Sequence, residues 1–548
     1  MAKLPANVSL FLSERTRSEL QVAVRSAFRD AENVLQQAIA DARASNNKRA
    51  EASAMSVLAR LYGLQAQATK QVEIAQRGLI LSQDSSAPEV AYRLQLQLVQ
   101  SLRKQDGKTS QVRAACQSAV KTLQALRTDL VNTNQDVQFT FRDDVEPLYR
   151  DCIAALLLPA HQNAGQKPSQ SELEEARQLV ESLQLAELDN FFQEACIEGR
   201  KVAIDQIVDR DNPTTAVLYP IILSKQHLGV IAKIPGQQNL DYHPVNLPAT
   251  ADLDKTLAEL REQLTDNTKF NLAQQNAIQI YDWLIAPFDT ALKAKGVKTL
   301  VFVLDGAFRN LPMAALYNPT SGRYLVDDYA IAVNPGLQLL AAQSLKRQPS
   351  VLAAGITKAE IFEKYQLEPL TGFDSERKSI NQAGFVIQRA LVDEAFNSET
   401  FTQELSTGSS NIVHLSTHGK FSSRKENTYI LMENGKIPVD ELGTIFQQRR
   451  ISKDAIELLV LSACETATGD NRATLGLSGI ALKTGVRSTL ASLWTIPDDS
   501  TAIFMDSFYK ALKAGQTKAE AVQSAQLAIK QTSNPNVWAA YILVGNWS

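Results

Sequence analysis

The sequence predicts an α-helical solenoid followed by an α/β domain with a mostly parallel sheet. Two observations carry that expectation. Residues 13–160 are dominated by Ala, Gln, Leu, Arg and Glu, and their apolar residues recur at helical spacing. Beyond residue 200, short apolar runs rich in β-branched residues alternate with helical stretches, as strand–helix–strand units do. At 548 residues the chain also exceeds what one hydrophobic core serves.

In the first part, Leu20, Val24, Ala27, Ala31, Val34 and Ala38 fall on one helical face, as do Val57, Leu58, Leu61 and Leu64. Breaks at Asn46-Asn47, Asp84–Pro88, Asp106-Gly107 and Asn132–Asn134 divide the segment into paired helices. Leu58, Ala59 and Tyr62 followed by Ala75 and Leu79 resemble the small/large pattern of a tetratricopeptide repeat (TPR). Ala91, Leu94 and Leu98 followed by Ala115, Ala119 and Leu123 repeat it loosely, with a longer period. The expectation is a TPR-like α-solenoid over 1–165, with a generic helical bundle as the alternative. Small and polar residues over 160–172 read as a linker, and Leu173, Ala176, Leu179, Val180 and Leu183 mark a further helix. Connecting helices are therefore expected over 166–200.

Strands are expected at 215–223, 229–234, 299–304, 330–333, 351–355, 385–389, 411–416, 457–461 and 489–493. Helices are expected at 252–265, 271–294, 397–405 and 500–512. The texture repeats, which suggests two lobes, 201–345 and 346–548.

With 56 basic and 59 acidic residues the formal net charge is −3, which provides no global field for nucleic acid. No apolar stretch is long enough to span a membrane, and the N-terminal run is too short for a signal peptide. Four cysteines without a CxxC pair suggest neither a disulfide framework nor zinc. Cys116, Cys152 and Cys196 read as small buried hydrophobes, and a reducing, cytoplasmic setting fits.

Cys464 is different. An apolar strand, Asn411–Ser416, runs into His418 and Gly419, and about fifty residues later a second one runs into Cys464. Groups beyond the carboxyl ends of neighbouring parallel strands gather in one crevice. An imidazole there raises the thiolate fraction of a cysteine and later protonates the leaving amine. The resulting oxyanion needs fixed N–H donors. Gly419 supplies one without a blocking side chain, and the N–H of Cys464 is the second candidate.

The motifs His-Leu-Ser-Thr-His-Gly (His414–Gly419) and Leu-Ser-Ala-Cys-Glu-Thr (Leu461–Thr466) resemble those of CHAT domains. These are caspase-like peptidases related to separases and associated with TPRs. Val303–Gly306 with Leu311-Pro312, Tyr329–Pro335, Gly485–Ser488 with Ser492–Trp494, and Trp538–Tyr541 with Val544-Gly545 are similar to further family motifs, in order. The resemblance covers about 170–548. It implies a two-lobed caspase-like α/β domain with His418 as general acid/base and Cys464 as nucleophile. Gly419 and the Cys464 backbone would form the oxyanion hole. The first lobe would carry no dyad, in keeping with its having only His227 and His243 and no cysteine. The implied reaction is hydrolysis of a protein substrate through an acyl-thioester, without metal or organic cofactor. The helices would recruit a substrate or regulatory protein. Neither nucleic acid nor membrane is an expected partner. A catalytically silent TPR/CHAT scaffold is the competing reading, and a small-molecule hydrolase or transferase is a third.

Other residues receive plainer roles. His414 is expected beneath the site as a structural residue rather than a metal ligand. Glu465 reads as a turn cap. Asp498 and Asp499 read mainly as N-caps of the helix that follows. By resemblance to separase-like enzymes, Asp498 is also a candidate for binding a basic substrate side chain. Asp305-Gly306 reads as a strand-to-loop turn. Gly476–Gly479 lacks the lysine of a phosphate loop.

Overall fold

The structure is a computed structural model, described over residues 14–105, 109–133, 145–159, 167–192, 208–209, 212–266, 268–334, 349–422, 427–452, 456–466 and 485–548. Cys196, the linker at 160–166, Pro335 and Gly476–Gly479 fall outside these residues. The chain divides into two compact units, Met1–Pro159 and Ala160–Ser548.

The first unit contains helices α1 (Glu14–Ala44), α2 (Lys48–Leu64), α3 (Ala68–Asp84), α4 (Pro88–Leu102), α5 (Thr109–Thr133) and α6 (Glu146–Leu157). The turns between the first four share one design. Asn46, Ala66 and Ser86, twenty residues apart, each take a positive φ. In each turn the following amide closes back on the helix: Asn47 N–H on Ala42 O, Gln67 N–H on Tyr62 O and Ala87 N–H on Ser82 O. This is the Schellman closure, which satisfies carbonyls left open at a helix end. The twenty-residue spacing also explains the longer repeat period read from the sequence.

Small residues let the helices approach closely: Ala52, Ala59, Ala75 and Ala87 pack with Val90 and Leu94 in one fully buried cluster. Val34, Val57 and Leu64, expected on an apolar face, are exposed instead. The buried face of α2 includes Ala52, Met55, Leu58, Ala59 and Tyr62, which turns Val57 and Leu64 outward; Val34 is exposed on α1.

One cysteine expectation is overturned. Cys116 on α5 and Cys152 on α6 form a disulfide, with Cα atoms 5.6 Å apart. Sequence spacing could not reveal that these two helices pack together, and the bridge removes the cysteine argument for a reducing setting. All four tryptophans (Trp283, Trp494, Trp538 and Trp547) lie in the second unit, so their emission reports on it alone. Replacing both Cys116 and Cys152 with alanine is expected to destabilise the helical unit by about 2–4 kcal/mol. Circular dichroism at 222 nm should then show an earlier transition while tryptophan emission stays in place. An unmoved helical transition would overturn the expectation.

The second unit begins with α7 (Gln170–Phe192). A polar face of this helix is buried. Glu181 accepts from Tyr219 Oη (2.9 Å), Gln184 donates to Leu304 O (3.0 Å) and Glu187 pairs with Arg309. The first-lobe strands are β1 (Thr215–Ile222), β2 (His227–Lys233), β3 (Asp241–Asn246), β4 (Thr299–Phe302), the small hairpin β5 (Tyr317–Asn318) and β6 (Arg323–Tyr324), and β7 (Ala330–Val333). Helices α8 (Leu253–Thr265) and α9 (Phe270–Leu284) lie between β3 and β4. The single helix expected at 271–294 is broken at Ala286-Pro287-Phe288, where proline removes a helical donor.

The second lobe contains β8 (Ser350–Gly355), α10 (Ala359–Lys364), α11 (Phe373–Gln382), β9 (Val386–Val392), α12 (Ser398–Thr407), β10 (Ile412–Phe421), β11 (Tyr429–Met432), β12 (Gly435–Pro438), α13 (Val439–Ser452), β13 (Leu458–Thr466), β14 (Ser488–Ser492), α14 (Asp498–Lys513), α15 (Lys518–Lys530) and β15 (Tyr541–Gly545). Among the described residues the lobes share one sheet of order β12-β11-β10-β13-β14-β15-β7-β4-β1-β2-β3, with β8 on β10 and β9 on β8. The centre is parallel; β1/β2, β2/β3, β10/β11, β11/β12 and β14/β15 are antiparallel. The fold class read from the sequence is therefore the observed one. The strands it missed are β3, β11 and β12 at the sheet's two ends, the small hairpin β5/β6, and β15, which lies between β14 and β7 in the middle of the sheet. Asn434-Gly435, between β11 and β12, is a strong hairpin signal that was open to reading.

Candidate active site

The two strands singled out by the sequence are parallel neighbours. Ile412 through Leu415 on β10 pair with Leu458 through Leu461 on β13. The register then shifts, so that His418 pairs with Ala463 and Gly419 with Cys464. Between Leu415 and His418 β10 takes one more residue than β13, which makes a β-bulge. His418 and Cys464 thus lie on adjacent strands, one position out of register. The side chains of residues 463–466, Cys464 and Glu465 included, lie outside the description.

The sequence places His418 and Cys464 at strand ends; in the structure both strands continue, to Phe421 and Thr466. It is their neighbours that stop. β8 accompanies β10 only as far as Ser416, opposite Gly355. β11 takes up the same edge from Gly419. On the far side of β13, β14 pairs only at Leu459 and Val460. Thr417 and His418 therefore occupy a gap where one edge partner has ended and the next has not begun. That is a switch point of the kind at which open sheets place their sites.

His418 is half-buried. Its Nε2 lies 2.7 Å from the carbonyl oxygen of Glu368, and the Phe362 ring packs against it edge-on at 5.3 Å between centroids. A carbonyl can only accept, so Nε2 carries the proton and Nδ1 is the basic nitrogen. The loop supplying that carbonyl is fixed one turn later. Asp498 Oδ2 accepts from both Thr371 N–H (2.8 Å) and Thr371 Oγ1 (2.6 Å).

This corrects the capping expectation for Asp498 and Asp499. The N-cap of α14 is Pro497, and Asp498 and Asp499 stand in the first turn. Carboxylates there still favour the helix dipole, but the Asp498 side chain is turned to the loop of Thr371.

His414 is fully buried beneath the site. Its Nδ1 is 2.9 Å from Tyr509 Oη on α14 and its Nε2 2.6 Å from Glu376 Oε2 on α11. Glu376 Oε1 accepts from Ser462 Oγ on β13 at 2.6 Å. Burial, reinforced by the Glu376 carboxylate, pushes the Tyr509 phenol well above its ordinary range. The phenol therefore stays protonated and donates to His414 Nδ1, and His414 Nε2–H donates to Glu376. Both ring nitrogens are engaged, as suits a structural histidine. Among the described residues no cluster of His, Cys, Asp and Glu could hold a metal.

In the first lobe Asp305 Oδ2 accepts from Ile222 N–H at 3.0 Å and Gly306 takes a φ of 54°, the strand-to-loop turn expected there. Sequence reasoning missed Glu376 and the Glu368 carbonyl. Glu376 lies in Asp-Ser-Glu-Arg-Lys, which reads as a solvated helix face, and a backbone acceptor leaves no trace in residue types.

No helix among the described residues is long and apolar enough to cross a membrane. Residues 274–546 match the CHAT domain family. Tetratricopeptide repeat protein 28 of Mus musculus is 24% identical over 332 residues, which span 50% of this chain and 13% of that protein. Among solved structures, a separase–securin complex of Saccharomyces cerevisiae aligns with a TM-score of 0.41 and 9% identity, covering 94% of this chain and 48% of that one. A complex of the pro- and mature domains of Porphyromonas gingivalis RgpB aligns at 0.31 and 10%, covering 54% and 75%. With the family's strand-borne motifs set side by side in one shared sheet and TPR-like helices ahead of them, the chain belongs to the CHAT-domain proteins.

Proposed function

We propose that the chain is a cysteine endopeptidase in which Cys464 attacks a peptide carbonyl and His418 moves the protons. The observation that carries this reading is the adjacency of β10 and β13, one residue out of register, at a gap in the sheet edge. His418 Nδ1, with Nε2–H committed to Glu368 O, takes the thiol proton. The thiolate forms a bond to the carbonyl carbon and gives a tetrahedral oxyanion, which the N–H groups of Gly419 and Cys464 stabilise. Collapse of this intermediate breaks the C–N bond, and His418 protonates the departing amine. Water, deprotonated by His418, then hydrolyses the acyl-thioester. Asp498 is engaged through Oδ2; its other oxygen is the one we assign to a basic substrate side chain. The TPR-like helices recruit the substrate or a regulatory protein, and such a partner controls activity.

The test is labelling by a thiol-reactive peptide probe, with proteomic mapping of cleavage sites. Wild type should be labelled and should generate new protein termini; Cys464→Ala should do neither. Equal labelling and an equal set of termini in the variant would sink the peptidase reading.

A further inference from the structure

Glu376 touches both site strands at once. One carboxylate oxygen holds His414, four residues before His418 on β10. The other holds Ser462, two residues before Cys464 on β13. All three side chains, with Tyr509, are buried. The bridge meets β10 at His414, just ahead of the bulge, and β13 at Ser462, opposite the bulge that sets the offset between His418 and Cys464. Glu376 also belongs to α11, whose preceding loop carries the Glu368 carbonyl bonded to His418. That loop is held in turn by Asp498 at the start of α14, the helix that also supplies Tyr509.

We propose that Glu376 is a positioning residue: its carboxylate cross-links β10 to β13 and fixes the offset at which His418 meets the Cys464 thiol. The inference rests on the dyad reading above. It does not require the negative charge. A glutamine of the same length can accept from His414 Nε2–H and donate to Ser462 Oγ, which keeps both arms of the bridge. An aspartate keeps the charge but is one methylene too short to span both partners.

The measurement is the pH dependence of iodoacetamide alkylation of Cys464 in the full chain, followed by mass spectrometry of the Cys464 peptide. Melting temperature is recorded in parallel. Wild type and His418→Ala test the dyad first. A thiol of ordinary midpoint that His418→Ala does not move would end the dyad reading, and this proposal with it.

Given a His418-dependent midpoint, Glu376→Asp should move it toward the His418→Ala value and slow alkylation at pH 7 roughly tenfold or more. Glu376→Gln should remain close to wild type. Ser462→Ala, which cuts only the β13 arm, should be intermediate, and it serves if Glu376→Asp fails to fold. A purely structural Glu376 would lower the melting temperature in these variants without moving the midpoint, and that result overturns the proposal. A loss in Glu376→Gln as large as that in Glu376→Asp, or larger, overturns it as well, because reach alone would then not account for the effect.

Discussion

Replacing His418 with alanine will lower kcat/KM at pH 7 by about 10³-fold on the substrate found by cleavage mapping. Two losses combine. An unassisted thiol with a midpoint near 8.5 is only about 3% ionised at pH 7, which accounts for roughly thirtyfold. The rest is the lost proton delivery to the leaving amine. The two parts separate with pH. Raising it to about 9 restores most of the thiolate, so alkylation of Cys464 should approach the wild-type rate. Amide hydrolysis should stay slow, because its acid is gone. A deficit under tenfold at pH 7 would show that His418 does not act on the thiol.

Gly545→Ala should be the most damaging single methyl added to the second unit, at about 3 kcal/mol or more. Gly545 closes β15 with a φ of 106°, a conformation that side chains avoid. A Cβ there would lie 2.5 Å from Arg487 O, a backbone atom that cannot swing aside. That carbonyl also accepts from Asn546 N–H at 2.8 Å, so relieving the clash breaks the bond that follows β15. Gly515 is the control. Its φ is 88°, but nothing lies within 4 Å of an added Cβ, so Gly515→Ala should cost only about 1 kcal/mol. Denaturation followed by tryptophan emission checks both. Equal midpoints for the two variants would show that Arg487 O does not obstruct a side chain at 545.

What the sequence disclosed, and what it withheld, follow from range. β10 and β13 were legible because strands buried on both faces read as unbroken apolar runs, and Leu458–Leu461 is one. His418 and Cys464 stood out as the polar residues into which such runs lead. The bulge between Leu415 and His418 was not legible, since it depends on a partner strand rather than on local residues. Nor was the Cys116–Cys152 bridge, which depends on two helices packing together. Glu376 was hidden by its own neighbours: Asp374, Arg377 and Lys378 make the helix look solvated, while Glu376 alone of the four turns inward.

The place of β15 carries a consequence for biosynthesis. This strand lies between β14 and β7, with Val544 paired to Val333 far upstream, so it is the seam between the lobes. A chain emerging from the ribosome exposes β14 and β7 as open edges until residue 545 is free. The helical unit, closed by residue 159, can fold long before. During that interval the nascent chain holds a finished helical unit and an unfinished sheet. Its exposed β7 and β14 edges are then the places for a chaperone, or for a strand lent by another chain.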